Sequence, residues 1–538
     1  TTEIYTLSLH DALPILTNQW PGLALMGVDR EKLTRSLSEM IEAVHANGMM
    51  TKGLGTIVTD ELHVYEEGIN AQSQMALLSP GDPLVVERLM ETAATYADLT
   101  AVNPHGNRLL VSNYFGAGHI VKEAPWQWSK PYSYLIFHPG IRLVEINGDP
   151  ATRTLLLELA DGYLAHGKQA ADGSWTFPSE INWPDGATRG TAGPEQTNLL
   201  MWAAYRWTGD ARYLRPIEQV LRKGGLAALS GIVSSDLALD LNRPELRVPV
   251  LEQAKKDRYA GPYAYHTAWV ATDDKQWLVK QYDSQRQAAT LRMEMMTADH
   301  WWTDRVELPT QELQRQRLGG VALYRNAIVR GHRIEWDFAE ANGAEKVGIL
   351  VKEPTRTGLR VLAHNLSDQP VTARIIGADV ATGHWTVTEG IDADGDDKAE
   401  TTAARTIAFG EGQGVTVTLA PGRTTVLDFT LASPGRDTVG RPDAAIVSRD
   451  VVRAKGRVEV TVHNIGGTPT PTGRVRLLSA AGAVLAEAPL PAIAAPSDLK
   501  PKTVKVALKA RSDAAAVDVL LDGDAAEART DNNRVPLR

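Results

Sequence analysis

The sequence predicts a multidomain α + β protein in which an N-terminal (α/α) toroid is followed by two antiparallel β-sandwich domains. The hydrophobic period changes from about 3.6 residues to about 2 near Gly331, as expected where helices give way to strands. All fourteen tyrosines and twelve of the thirteen tryptophans precede residue 340, so the front and rear parts differ in composition. A length of 538 residues also exceeds what one hydrophobic core supports.

Composition narrows the class of protein. Hydrophobic residues make up 43% of the chain and charged residues 22%, which is ordinary for a soluble globular protein. The net charge of −9 and the lack of a basic stretch argue against a nucleic-acid partner. No apolar run approaches the ~18 residues of a membrane span, and the absence of cysteine leaves the redox compartment open.

The first residues do not fit the rest of the chain. The stretch Thr1–Ile15, TTEIYTLSLHDALPI, resembles the translated sequencing-adapter peptide that contaminates assembled metagenomic genes. We therefore exclude residues 1–16 from the fold, and we expect the native N-terminus and any signal peptide to be missing.

Residues 17–330 carry the helical pattern predicted for the toroid. The first helix is predicted to begin after Asp29 as its N-cap and to stop at Gly48. Long loops rich in Gly, Pro, Trp and His separate the helices, as in a ring of paired helices whose loops build a cleft at one end. Further helices are predicted at Asp82–Asp98, Pro150–Lys168, Gly193–Trp207, Asp210–Lys223 and Ser284–Met296.

A turn between two of these helices carries a resemblance. The tract TGDARYL, Thr208–Leu214, is similar to the turn between paired helices of α/α-toroid carbohydrate enzymes, and the likeness covers about Thr17–Asp337. It implies a carbohydrate-active enzyme, since toroids of this kind with β-sandwich domains behind them resemble two classes, the polysaccharide lyases and the glycoside hydrolases.

Short strands separated by Gly, Pro and Asp turns predict the two sandwiches, at residues 331–432 and 444–538, with a linker at 433–443. The element VHNIGGTPT and the ending EARTDNNRVPL resemble the adhesion-related CARDB-type sandwiches of secreted bacterial proteins. This resemblance implies a secreted or cell-surface location, with spacing or attachment as the role of the C-terminal domain.

Two loops carry groups suited to binding a sugar. In NRLLVSNYFGAGHIVKEAPWQW, Asn113 and His119 offer an amide and an imidazole, and Trp126 and Trp128 offer aromatic faces. In WTFPSEINWPDGATRGTAGPE, Trp183 is predicted to stack on a sugar ring. Arg189, in the same loop, is predicted to pair with a carboxylate. The alternative interpretation is a satisfied loop core and an ordinary surface loop.

Titratable rings are densest in DRYAGPYAYHTAW. Tyr265 and His266 are predicted as base and acid of a proton transfer, and Tyr263 beside them as a substrate contact. An aromatic packing cluster at a helix start is the alternative interpretation.

The segment between Trp301 and Arg333 contains six arginines and no lysine. This composition favours planar bidentate pairs with carboxylates. We expect most of these arginines to fix the seam between toroid and sandwich. Arg305, close behind Trp301 and Trp302, is predicted to contact substrate.

No cofactor is expected to be required. The acidic turn DADGDD, Asp392–Asp397, offers clustered oxygens for a structural Ca²⁺. It lacks the downstream Glu of a complete calcium loop, and a solvated acidic turn is the alternative interpretation.

Together these groups predict a polysaccharide lyase that cleaves a uronic-acid polysaccharide by β-elimination. The reaction needs a donor that neutralises the substrate carboxylate, here Asn113, His119 or Arg189, and a group that moves the proton, here Tyr265 or His266. Two other hypotheses stay open. One is a toroid glycoside hydrolase that uses two carboxylates, and the other is a non-catalytic glycan-binding adhesion protein.

Overall fold

The computed structural model describes residues 21–192, 198–218, 262–297, 311–324, 327–328, 331–454, 456–523 and 526–537, and the single residues 248 and 252. Across these residues the protein is a mixed α + β structure with a strand-rich C-terminal region, which confirms the predicted class at this level. Longer helices occur before residue 320 and long antiparallel strands after residue 330.

The helices of the front region range in length from 4 to 22 residues. They are α1 (Arg30–Ala46), α2 (Glu61–Val64), α3 (Asn70–Leu78), α4 (Pro83–Ala94), α5 (Tyr96–Leu99), α6 (His138–Asn147), α7 (Pro150–Leu164), α8 (Asn198–Thr208), α9 (Pro262–Thr272), α10 (Gln276–Thr297) and α11 (Gln311–Leu318). A π-helical turn, Tyr65–Ile69, joins α2 to α3, and 3₁₀ turns lie at Pro131–Phe137, Ala211–Tyr213, Gly343–Lys346 and Ser448–Asp450. Within the described ranges, none of these helices has both the length and the apolar character needed to cross a bilayer.

Aspartates start several of these helices. The Asp82 carboxylate accepts from the Leu84 amide at 2.9 Å before α4, and Asp149 accepts from the Thr152 amide at 2.8 Å before α7. A proline follows each aspartate at the first helical position, where its missing N–H costs nothing. Asp29 behaves differently from the predicted N-cap, because it takes a left-handed backbone and its side chain makes no capping bond.

Helices that follow one another in sequence pack side by side. Helix α3 packs against α1, α4 and α6, while α6, α7 and α8 follow in succession, and α9 packs against α10 and α11. Buried leucines such as Leu37, Leu143 and Leu159 fill these contacts. The closed toroid stays a prediction, because residues 219–247 and 298–310 lie outside the described residues.

The loops between the helices form small antiparallel sheets. Their pairings are β1–β2, β4–β5, β9–β10 and β13–β14, together with the three-stranded sheets β3–β6–β7 and β12–β11–β8. The strands are β1 (Met50–Thr51), β2 (Leu54–Gly55), β3 (Thr59–Asp60), β4 (Thr100–Val102), β5 (Arg108–Leu110), β6 (Tyr114–Gly116), β7 (His119–Ile120), β8 (Trp128–Ser129), β9 (Lys168–Gln169), β10 (Trp175–Thr176), β11 (Glu180–Asn182), β12 (Thr188–Arg189), β13 (Leu323–Tyr324) and β14 (Ala327–Ile328).

Two antiparallel sheets follow, and they share one hydrophobic core with the helices. The sheet β15–β18–β21 has three strands, and the sheet β16–β17–β22–β19–β20 has five. Trp385, Phe409 and Phe429 are fully buried in this core. The strands are β15 (Ile334–Phe338), β16 (Val347–Lys352), β17 (Gly358–Asn365), β18 (Val371–Gly377), β19 (Gly383–Asp392), β20 (Thr401–Phe409), β21 (Gly414–Leu419) and β22 (Thr424–Pro434).

The last strands have a hydrophobic core of their own, around Val460, Leu477 and Val517. In one sheet β25 pairs with β23, β24 and β28, and the other sheet has the order β27–β26–β29–β30. The strands are β23 (Ala444–Ala445), β24 (Val451–Ala454), β25 (Arg457–Asn464), β26 (Gly473–Ser479), β27 (Val484–Leu490), β28 (Thr503–Lys509), β29 (Ala514–Leu521) and β30 (Arg534–Pro536). The predicted domain limits at 331, 433 and 444 stay predictions.

A buried carboxylate joins the helices to the first of these sheets. Asp379 is 1% exposed and accepts hydrogen bonds from Arg206 of α8 at 2.9 and 3.0 Å. It also accepts from Arg333 at 3.1 Å, and its other oxygen lies 3.3 Å from Arg356 Nε. Arg333 belongs to the lysine-free run, and it lies at this seam.

We expect Asp379→Asn to lower the free energy of unfolding by about 3 kcal/mol or more, because it leaves buried guanidinium groups without their counter-charge. Urea denaturation followed by tryptophan fluorescence measures the change. Asp428→Asn is the matched control, since Asp428 pairs with Arg360 at a more exposed site and should cost at most about 1 kcal/mol. Equal losses in the two variants would contradict the role given to Asp379.

An ionised histidine holds the last sheets against α4. His463 lies 3.0 Å from Glu87 of α4 and 3.3 Å from Asp450, and Arg449 pairs with Asp82 beside it. Burial by itself would lower the pKa of His463, but the carboxylates of Asp450 and Glu87 outweigh burial and raise the pKa to about 9. The ion pairs are therefore present at neutral pH.

A raised pKa in the folded state stabilises the fold fully below the unfolded value of 6.5, and this stability is lost as pH rises through about 9. Between pH 6.5 and about 9, we expect the Tm of the unsubstituted protein to fall by more than the Tm of His463→Gln falls. At neutral pH, His463→Gln should lower the free energy of unfolding by on the order of 2 kcal/mol. His364→Gln, at an exposed histidine bonded to Thr424, is the control. A pH dependence unchanged by His463→Gln would refute this assignment.

Candidate functional site

The two sugar-type loops of the sequence meet in one small sheet. Strand β8 pairs with β11, so that Trp128 lies opposite Asn182 and Ser129 opposite Ile181. Strand β11 also pairs with β12, so that Glu180 lies opposite Arg189. The loop around Trp128 and the loop around Arg189 are about 60 residues apart in sequence, and backbone pairing brings them together.

Charged and aromatic side chains gather on one face of this sheet. Residues directly opposite one another in an antiparallel pair point to the same face. Trp128, Asn182, Glu180 and Arg189 therefore share a face, and Lys130, two residues after Trp128, joins them beside Glu180. Ile181 and Ser129, on the opposite face, are 1% exposed.

The Lys130 ammonium ties three segments together. Its Nζ lies 3.3 Å from Glu61 Oε1 at the start of α2 and 3.9 Å from Glu180 Oε1. It also donates to Asn113 Oδ1 at 3.2 Å, in the amide orientation that lets Asn113 Nδ2 donate to the Trp126 carbonyl at 3.0 Å. Asn113 itself is buried, with 5% of its surface exposed.

The hairpin β6–β7 adds a second set of groups. Gly116 pairs with His119, and the Val121 amide donates to the Tyr114 carbonyl at 3.1 Å. This register places Tyr114 and His119 diagonally on one face, while Asn113 and Phe115 point inward and are buried. Tyr114 is partly exposed and His119 is exposed.

Trp126 lies between the β6–β7 hairpin and strand β8 in sequence, and it contacts the hairpin. Its ring stacks on Tyr114 with centroids 4.4 Å apart, and it is 37% exposed. Two residues later, the Arg189 guanidinium covers the Trp128 ring at 4.0 Å and pairs with Glu180, yet the Arg189 side chain is 53% exposed. Tyr114, His119, Trp126, Trp128, Lys130, Glu180 and Arg189 are called the open face below.

Trp183 sits at the edge of this arrangement. Its amide donates to the Gln127 carbonyl at 3.1 Å, and its ring packs on the hydrophobic core. Its buried indole Nε1 has no hydrogen-bond partner within the described part of the chain. Stacking on a sugar would therefore use the exposed Trp126 more readily than Trp183.

Tyr265 and His266 lie in a different layer. Both are in α9, which packs against α10 and α11; the Tyr265 ring lies 6.2 Å from Trp277, and His266 meets Trp269 edge-on at 5.5 Å. Burial, and then Arg315, lower the pKa of His266 to about 3, so its imidazole is neutral at pH 7. Contacts among the described residues do not bring either side chain to the open face. The Tyr263 side chain and Arg305 lie outside the described residues.

Sequence reasoning missed Glu61, Lys130 and Glu180. Each is an ordinary charged residue in its local sequence, at a helix start or beside a two- or three-residue strand. The one available signal was alternation, since Trp128 and Lys130, and likewise Glu180 and Asn182, are two residues apart. Such short strands cannot be told from loops by their period.

The acidic turn between β19 and β20 could hold a cation. Asp392, Asp394, Asp396 and Glu400 each offer a carboxylate oxygen, and these oxygens lie within 4.8 Å of one another. Oxygen ligands of this kind suit Ca²⁺. The neighbouring Asp397 is instead paired with Lys275 at 2.6 Å and Lys352 at 3.0 Å. A structural Ca²⁺ here stays a prediction.

Comparison with known proteins gives no family. No protein-family model matches the chain, and no curated protein matches it. Among solved structures, a β-porphyranase of glycoside hydrolase family 86 from the human gut bacterium Bacteroides plebeius shares 11% identity with a TM-score of 0.12. That match covers 31% of this chain and 34% of the porphyranase chain, and a likeness of this size carries no information on fold or function.

Proposed function

We propose that the open face binds a uronate-containing saccharide and that the protein cleaves it by β-elimination. The observation that carries the proposal is a pair of indoles two residues apart: Trp126, which is exposed and stacks on Tyr114, and Trp128, whose ring is covered by the Arg189 guanidinium. An aromatic ring offers an apolar surface to the C–H face of a sugar, and a guanidinium pairs with a carboxylate in two parallel hydrogen bonds.

The charges of the open face suit an acidic sugar. The Arg189 side chain is 53% exposed and holds Glu180 as its partner, so a substrate carboxylate would approach it from the solvent side. Lys130 lies behind, 33% exposed, and its contacts with Glu61 and Glu180 fix its position. Asn113 then acts as a positioning residue, because its amide bonds are taken by Lys130 and the Trp126 carbonyl.

β-Elimination at the open face would begin with the removal of a proton from the substrate. A base takes the proton at the carbon next to the carboxylate, and the electron pair forms a carbon–carbon double bond. The bond to the leaving oxygen breaks, and that oxygen receives a proton. Charge grows on the substrate carboxylate during proton removal, and Arg189 is suited to stabilise it. An imidazole can accept and donate a proton, and with Tyr114 on the same face His119 is our candidate for the proton transfers.

A hydrolase is the second candidate, favoured by the two carboxylates around Lys130. Glu61 Oε1 and Glu180 Oε1 lie no more than about 7 Å apart, since they are 3.3 and 3.9 Å from the same nitrogen. Glycosidases place their two carboxyl groups between about 5 and 9.5 Å apart. Glu61 is 4% exposed, and its Oε2 has no hydrogen-bond partner among the described residues.

Trp126→Ala should weaken saccharide binding about ten-fold, or about 1.4 kcal/mol, because the stacking surface is lost while the cations stay. Binding of a uronate oligosaccharide is measured by calorimetry. Tyr282→Ala, at another exposed ring on α10, is the matched control and should bind normally. Undiminished affinity in Trp126→Ala would remove the open face as the binding site.

The reaction is identified by its product. Incubation with a uronate polysaccharide should raise ultraviolet absorbance from the conjugated double bond, and His119→Gln should slow this at least ~100-fold. His384→Gln, at an exposed histidine of β19, is the control. New reducing ends without that absorbance indicate the hydrolase, and saturable binding without product indicates a glycan-binding protein.

The variant Tyr265→Phe distinguishes proton transfer by His119 from proton transfer by Tyr265 and His266, which the sequence predicts. Since Tyr265 lies in the α9 layer, we expect this variant to keep near-normal turnover. Loss of turnover in Tyr265→Phe with full activity in His119→Gln would instead place proton transfer at Tyr265 and His266.

A further inference from the structure

A large cavity lies where the helices and both groups of sheets meet. It encloses about 390 Å³ and shares no lining residue with the open face. Arg30 and Arg142 reach it from the helices, His332 and Arg374 from the first group of sheets, and Arg534 from the last. Asn532 closes one wall, where its Nδ2 donates to the Gly81 carbonyl at 3.3 Å.

Most acidic groups that line this junction cavity are already engaged, and Asp337, which also lines it, is exposed. Glu335 accepts from Arg30 at 2.6 Å and lies 3.2 Å from His332 Nε2. Asp379 holds the arginines of the seam, and Asp531 accepts from Arg529 at 2.7 and 3.0 Å. Asp82 accepts from Arg449. These carboxylates are therefore poor partners for any further donor.

Several donors of the same wall lack an acceptor. Arg142 is 4% exposed, and its Nε is buried without a hydrogen-bond partner among the described residues. Its other nitrogens bond to Glu145 and to the Ala76 carbonyl, and Nη2 also lies 3.8 Å from Glu411 Oε1. Arg30 Nη1 and His332 Nδ1 are likewise buried, and neither has a hydrogen-bond partner among the residues that the structure describes. Leaving a buried charged donor unsatisfied is costly, so an acceptor belongs in this space.

Two exposed guanidinium groups add to this wall. Arg374 donates to the Gly412 carbonyl at the long distance of 3.4 Å, and Arg534 forms no ion pair within the described ranges. Aliphatic side chains such as Leu77, Ile376 and Val535 complete the lining. The cavity thus offers convergent N–H donors, a partly apolar wall and room for more than a single ion.

We propose that the junction cavity binds a small oxyanion, namely a carboxylate, sulfate or phosphate group on a ligand that fits within the cavity. Arg142 and Arg30 bind it from the helices, Arg374 from the first group of sheets and Arg534 from the last. Because its donors come from all three regions, the bound oxyanion fixes their relative positions and stabilises their assembly.

The test compares the Tm of the full chain in sodium glucuronate, sodium sulfate, sodium phosphate, glucose and sodium chloride, with ionic strength matched for the salts. The double variant Arg374→Gln/Arg534→Gln changes two exposed residues and should fold normally. Arg436→Gln/Arg453→Gln, at arginines outside the cavity lining, is the matched control. Calorimetric titration with each oxyanion gives a second readout.

We expect at least one oxyanion to raise the Tm saturably by about 3 °C or more above chloride, with the rise lost in the cavity variant and kept in the control. A response to glucuronate alone identifies a carboxylate on a sugar-sized body, and a response to sulfate or phosphate identifies a free oxyanion. The proposal is overturned if no oxyanion raises the Tm above its value in chloride, or if glucose raises the Tm as much as glucuronate does. It is also overturned if the Tm of the cavity variant rises as much as that of the unsubstituted protein.

Discussion

The Lys130 ammonium is the contact on which the open face depends. It draws together the start of α2, the Asn113 loop and strand β11, whose carboxylate and amide oxygens lie within 3.9 Å of its nitrogen. These segments are too short to hold a fixed position by backbone pairing alone, because β8, β11 and β12 contain two or three residues each. A half-buried ammonium with three oxygen neighbours supplies the missing constraint, and it fixes Trp126 and Arg189 relative to each other.

The same principle joins the larger regions. Asp379 collects arginines from α8 and from the first group of sheets, and His463 lies between carboxylates of α4 and of the last sheets. In each case a buried charge is compensated by partners from another region. Such contacts add modest net stability but penalise any arrangement that leaves a charge alone. They therefore specify how the regions meet more than they strengthen each region.

The two candidate sites differ in how their charged groups are paired. On the open face, the charged groups are paired with one another and the exposed surface is aromatic, with Arg189 at its edge. In the junction cavity, most carboxylates already pair with arginine or histidine, while the buried Arg142 Nε and Arg30 Nη1 have no hydrogen-bond partner among the described residues. The first arrangement suits stacking on an extended sugar chain, and the second suits enclosure of a small oxyanion.

Local pattern determined part of this structure. The change of period near Gly331 predicted the passage from helices to antiparallel strands. The clustering of polar and aromatic groups in two loops singled out the segments around Trp128 and Arg189, which β11 brings together in one small sheet. These features depend on neighbours in sequence, so composition and alternation reveal them.

The tertiary structure alone decided which of these groups lie together. Tyr265 and His266 form the densest cluster of titratable rings in the sequence, yet in α9 they face a helical layer, where burial keeps His266 neutral. Glu61, Lys130 and Glu180 carry no local mark. Lys130 and Glu180 come together because β8 pairs with β11, and Glu61 reaches Lys130 from the start of α2. The burial and long-range pairing that set the chemistry of a side chain are properties of the folded topology, and local periodicity does not encode them.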